Sequence, residues 1–151
     1  MNRSLHIRPP AVAGMFYPAD AAELAREIQS YLAAVPATQA PAPKGLIVPH
    51  AGYVYSGAVA ASAYALLSLA RKTIRRVVLL GPAHRVPVRG LALPVAEAFA
   101  TPLGGVRIDA EGAAAALKLP QVTASAVAHN LEHSLEVQLP FLQTVLDDFT
   151  L

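Results

Sequence analysis

The chain is 151 residues long, the size of one ordinary domain, with 54% hydrophobic and only 15% charged residues. That balance excludes a disordered chain and provides ample apolar material for a core. A formal charge of +2 and a pI of about 9.2 give no sign of nucleic-acid binding, which calls for a clustered basic face.

The densest basic stretch, Arg71, Lys72, Arg75 and Arg76, lies between a helix-like and a strand-like run and reads as a solvated loop. There are no cysteines, so no disulfide is available and any metal is held by nitrogen or oxygen. The start, MNRSLHIRPP, lacks the apolar stretch of a signal peptide. No uninterrupted apolar run reaches the roughly 18 residues of a membrane span. The expectation is a single cytoplasmic domain, 1–151, without membrane contact.

Residues 20–34 have helical spacing in Leu24, Ile28, Tyr31 and Leu32. Asp20 is placed to cap that helix, with Glu23 three residues on as in a capping box, and Pro36 stops it. A proline-rich connector, 36–43, leads to GLIVPH, which predicts a buried strand ending at Pro49. The Ala- and Leu-rich run 58–70 predicts a helix starting near Ser56 and Gly57. RRVVLL, 75–80, predicts a second buried strand, followed by GPAH. Strand, helix and strand make a βαβ unit, so an α/β fold with a mostly parallel sheet flanked by helices is expected. Farther on, RGLALP and GVRID read as short strands separated by a loop, and 110–117 as a short helix. From residue 131 leucines recur at helical intervals, and Pro140 should kink or split that helix.

Five histidines occur: His6, His50, His84, His129 and His133. His50 and His84 each follow a predicted strand. In open parallel sheets ligands bind beyond the carboxyl ends of strands, so the two imidazoles are expected about 5 to 10 Å apart at one edge, as half of a metal site. Tyr53 and Tyr55 close by offer hydroxyl donors or a ring wall for a substrate or partner.

Residues 129–133 read HNLEH, which fits the H-x-x-E-H pattern of zinc peptidases. That reading needs His129, Glu132 and His133 on one helix. Asn130, a good N-cap, would instead begin the helix at Leu131 and leave His129 outside it. His133 would then sit at a helix start, where the dipole favours a neutral ring able to act as a base, and Glu132 or Glu136 could orient a neighbouring ring.

Five stretches in order, RPPAVAGMFYP (8–18), VPHAGYVYSG (48–57), LLGPAH (79–84), TPLGGVRID (101–109) and AHNLEHSLEVQLPF (128–141), resemble the Memo family, whose bacterial members include AmmeMemoRadiSam system protein B. The resemblance implies a fold similar to class III extradiol dioxygenases. It implies His50 and His84 as metal ligands and His133, with His129 beside it, in the position of the catalytic base. Iron or copper is the implied metal. Members run to about twice a ~150-residue domain. On that resemblance the chain corresponds to the family's N-terminal portion, with the third metal ligand in the remainder. An incomplete sheet would leave an unpaired edge and invite homo-oligomerisation.

Three functions follow as expectations. The first is a metal-binding, oxidoreductase-like protein acting on a small molecule. The second is a non-catalytic module that binds a peptide or protein in the same cleft. The third is a zinc peptidase built on HNLEH.

Overall fold

The computed structural model describes residues 5–151. The first helix, α1 (Ala21–Ala33), forms as its spacing predicts. The Asp20 side chain accepts from the Glu23 backbone N–H at 2.8 Å, and Leu24 and Ile28 are fully buried. The second, α2 (Tyr53–Tyr64), begins earlier than expected, just after its cap residue Gly52, and continues as a 3-10 helix, Ala65–Ala70. Gly57 therefore lies inside α2 rather than at its start. A Cβ there would stand 2.5 Å from the Tyr31 ring, so glycine lets α1 and α2 approach closely.

Tyr53–Ala70 is long and apolar enough to cross a membrane by length and composition alone. Its inner face is filled by protein, however. Ala60, Ala61, Tyr64 and Leu67 are buried in the main core with Phe141 and Leu142 of α5 (Leu139–Val145). Tyr64 stacks on Phe141 with ring centroids 5.1 Å apart.

The strands are short. β1 (Ile7–Arg8) pairs in parallel with β3 (Ala98–Thr101), which pairs antiparallel with β4 (Gly104–Arg107). β2 (Leu91–Leu93) pairs in parallel with β5 (Val122–Ala124). β2 falls within the predicted RGLALP, and β4 overlaps the predicted GVRID, starting one residue before it. β3 occupies part of the stretch expected to be loop, because AFAT and GGVR form a hairpin. The short helix at 110–117 is α3 (Ala110–Ala116), capped by Asp109.

The two predicted strands of the βαβ unit differ from expectation. Among the described residues, 45–50 joins no ladder, and 75–80 makes only one parallel bridge, Arg76 with Thr150. Side chains in both runs still alternate as in strands. Leu46, Val48, Val77 and Leu79 pack on the core while Ile47, Val78 and Leu80 point out. What is missing is a neighbour for their backbones. The parallel α/β character lies instead in β1–β3 and β2–β5.

The leucine-rich end is also interrupted more than predicted. A short helix, α4 (Val127–Asn130), precedes a turn, a 3-10 segment (Glu136–Gln138) and α5, with Pro140 in the first turn of α5.

Candidate metal centre

Both unpaired runs end at the same place. His50 and His84 follow them, and their ring centroids lie 5.2 Å apart, within the distance expected from strand spacing. The turn after α4 delivers His133 to the same point, 6.0 Å from His50 and stacked on His84 at 4.5 Å. One ring nitrogen from each of the three falls within 4.8 Å of the others. Phe16 packs against His133 at 4.6 Å and walls that side. Three imidazoles form a nitrogen donor set suited to iron, copper, zinc or nickel.

Glu132 organises the cluster. Its carboxylate accepts from the His84 backbone N–H at 2.5 Å, from His84 Nδ1 at 2.8 Å, and from the backbone N–H groups of His133 and Ser134 at 2.9 Å each. Burial alone would push this carboxyl up. The hydrogen bonds from His84, Ser134 and His133 outweigh burial and hold it down at about 2. An ionised carboxylate only accepts, so His84 Nδ1 carries a proton, and the neutral ring is the tautomer whose lone pair is on Nε2. The same oxygen lies 3.4 Å from His133 Nδ1.

Burial also lowers the His133 pKa, and neighbouring His84, His50 and Arg85 add to that effect against the pull of Glu132. The ring is thus held neutral, as anticipated, but by desolvation. His133 does not begin a helix, and Asn130 ends α4 rather than capping a new one.

One segment secures both histidine loops. Ser134 Oγ donates to the Pro82 carbonyl at 2.8 Å, two residues before His84. Gln138 Nε2 donates to the Pro49 carbonyl at 3.0 Å, next to His50, and Tyr64 Oη donates to Gln138 Oε1 at 2.8 Å. Glu136 faces away from the cluster. It accepts from Arg8 Nη1 at 2.5 Å, Tyr17 Oη at 2.6 Å and the backbone N–H groups of Ala11 and Val12. Of the two glutamates considered as ring orienters, only Glu132 meets a histidine. The sequence reading missed Ser134, Gln138 and Phe16. The signal for Ser134 and Gln138 was the polar residues 132, 134, 136 and 138 at every second position, alternating with His133, Leu135 and Val137.

His129 is not brought to the cluster. It is buried inside α4, its Nε2 lies 2.9 Å from the Ala92 carbonyl, and its backbone carbonyl accepts from Arg8 Nε. Desolvation lowers its pKa. α4 stops before Glu132, so His129 and His133 do not share a helix face and the zinc-peptidase geometry is absent. Tyr53 is 3% exposed and its hydroxyl donates to the Val137 carbonyl at 2.7 Å, so it is a core residue out of reach of a ligand. Tyr55 is 85% exposed on the outer side of α2.

Comparison with known proteins agrees with the motif resemblance. The family model for Memo-like proteins matches residues 8–151. A MEMO1 family protein of Aquifex aeolicus is 42% identical over 139 residues, covering 92% of this chain and 50% of the relative. MEMO1 family proteins of Ignicoccus hospitalis and Methanopyrus kandleri are 43% and 44% identical over 152 and 147 residues, covering 94% and 91% of this chain and 53% and 52% of their own lengths. The chain thus spans about half the length of these curated relatives. With a family match over nearly its whole length, the chain belongs to the Memo-like family.

Proposed function

We propose that this chain is a metal-binding, oxidoreductase-like protein in which His50, His84 and His133 form the metal-facing cluster, with iron or copper as the metal. The observation that carries the reading is the convergence of three imidazoles within 4.8 Å, one of them with its tautomer set by a buried carboxylate. A carboxylate behind a histidine is the usual partner of a metal-bound ring, because it fixes orientation and raises basicity. A redox metal held there would supply the electron-transfer chemistry for a small, chelating, phenolic substrate.

The chain's own groups have distinct tasks. Glu132 holds the His84 proton at Nδ1 and presents Nε2 to the cleft. Ser134 and Gln138 fix the loops that carry His84 and His50. His133, kept neutral, offers a lone pair to the metal or takes a proton from a substrate hydroxyl. Metal content of His133→Ala separates these roles, since a ligand's loss releases metal and a base's loss leaves it bound. The dioxygenase-like fold, the N-terminal place of this chain within the family domain and cytoplasmic residence belong to the same proposal.

A second reading, a peptide- or protein-binding module, draws on Tyr55, which stands exposed beside Val54 and near Val59 on α2. Loss of partner binding in Tyr55→Ala, with His50→Ala and His84→Ala unaffected, would favour it.

A further inference from the structure

The buried residue of β1 is a charged one. Arg8 is 4% exposed, and its guanidinium carbon lies 4.9 Å from the ring centroid of Phe99, its partner across the β1–β3 ladder. All three guanidinium nitrogens are engaged. Nη1 pairs with the Glu136 carboxylate at 2.5 Å, Nε donates to the His129 carbonyl at 2.7 Å and Nη2 donates to the Glu132 carbonyl at 2.6 Å. Taking a guanidinium out of water is unfavourable, and an apolar side chain of similar volume often holds a core as well or better. Packing alone does not account for an arginine at this position.

The contacts show what the arginine adds. Its planar fork spans residues 129 to 136, the segment that delivers Glu132 and His133 to the histidine cluster. Glu132 is held at both ends of its backbone, because its N–H donates to the His129 carbonyl at 3.2 Å and its C=O accepts from Arg8. Its carboxylate is left to face His84 Nδ1 at 2.8 Å. Glu136, the other half of the buried pair, reaches the cluster from a second side. It accepts from the backbones of Ala11 and Val12 and from the Tyr17 hydroxyl, and so fixes the loop that sets Phe16 against His133.

We propose that Arg8 is a positioning residue of the metal centre. By clamping the carbonyls of His129 and Glu132 and the carboxylate of Glu136, it aims the Glu132 carboxylate at His84 and thereby sets the tautomer of that ring. Its hydrogen bonds reach none of the three cluster imidazoles, so it acts through Glu132. A lysine does not reproduce the clamp, because an ammonium on a flexible stem lacks the fixed fork that meets three acceptors at once. The effect on metal rests on the reading of His50, His84 and His133 as the metal-facing cluster. The effect on the His84 ring does not.

The test compares Arg8→Lys with Gly57→Ala, a destabilised variant whose change lies between α1 and α2. Two quantities are read on folded protein: 15N chemical shifts of the metal-free His84 ring, at a pH where it is neutral, and copper(II) affinity by chelator competition. Arg8→Lys should shift the His84 proton from Nδ1 toward Nε2 and weaken copper(II) binding roughly 10- to 100-fold. Gly57→Ala should change neither. If Arg8→Lys does not fold, the double variant Arg8→Met with Glu136→Gln, which removes both buried charges, takes its place with the same readouts. In the parent protein the Arg8 Nε–H should exchange with solvent at least about 100-fold more slowly than that of the exposed Arg89. An unchanged His84 ring, copper(II) bound with unchanged affinity, the same changes in Gly57→Ala, or exchange at Arg8 as fast as at Arg89 would overturn the proposal. A His84 ring that shifts with Arg8→Lys while no variant, nor the parent, binds copper(II) would support the positioning of Glu132 and refute the metal reading instead.

Discussion

Replacing Glu132 by Gln removes a charge but little volume, and its effects can be worked from the geometry. Glu132 accepts four hydrogen bonds within 2.9 Å, from the His84 ring and from the backbones of His84, His133 and Ser134. Its pKa of about 2, against an ordinary 4.5, corresponds to about 3 kcal/mol of native-state stability at neutral pH. The folded pKa is the depressed one, so that stability is present above about pH 4.5 and is lost as pH falls toward 2. A glutamine keeps one acceptor oxygen but no charge, and its NH2 can turn toward His84 Nδ1 and move that ring's proton to Nε2. The nitrogen that should face a metal is then blocked. Losing the carboxylate behind a ligating histidine costs roughly 10- to 100-fold in metal affinity, or about 1.4 to 2.7 kcal/mol. Chelator competition reads the affinity, denaturant unfolding from pH 7 to pH 3 reads the stability, and 15N chemical shifts of the His84 ring read the tautomer. Unchanged affinity together with an unchanged His84 tautomer in Glu132→Gln would refute the reasoning.

Glu136→Ala leaves the buried Arg8 guanidinium without its counter-ion and the Tyr17 hydroxyl without its acceptor, and calorimetry should record a loss of about 3 to 5 kcal/mol. Gly57→Ala drives a methyl into the Tyr31 ring and should cost about 1 to 3 kcal/mol in chemical denaturation. Metal affinity should fall as pH drops through the histidine range, because protonated imidazole cannot coordinate. The lowered pKa of His133 means that this ring takes up its proton at a lower pH than an ordinary histidine, which NMR titration of the ring checks. His129→Gln should lower the melting temperature by disturbing the Ala92 contact yet leave metal content unchanged.

Much of the site was legible because it follows from chain geometry. Strand-like runs that end in His50 and His84 point to one sheet edge even where the runs lack partners, since side-chain alternation depends on the local backbone and pairing depends on distant chain. The same distinction explains the two absent ladders. Propensity in GLIVP and RRVVLL describes an extended conformation and says nothing about which segment lies alongside. α1 was readable from its Asp20 cap and apolar stripe. β3 was not, because AFAT is short and alanine-rich and becomes a strand through the hairpin with Gly104–Arg107 and its pairing to β1.

The segment 129–138 was the least legible. Its letters fit a helical metal clamp, and Asn130 fits a cap, yet neither forms. Four buried polar side chains, Glu132, Ser134, Glu136 and Gln138, are each committed to a different long-range partner, and a regular helix would aim them in the wrong directions. Tertiary hydrogen bonding overrides local preference there. Tyr53 shows the converse, since proximity to His50 in sequence suggested a ligand contact while helix geometry turned its ring into the core.

The most direct test of the metal site is elemental mass spectrometry of the purified protein beside its His50→Ala, His84→Ala and His129→Ala variants. The account predicts iron or copper approaching one per chain, lost with His50 or His84 and retained with His129→Ala. Absence of metal from the parent protein, or metal that survives loss of both His50 and His84, would contradict it.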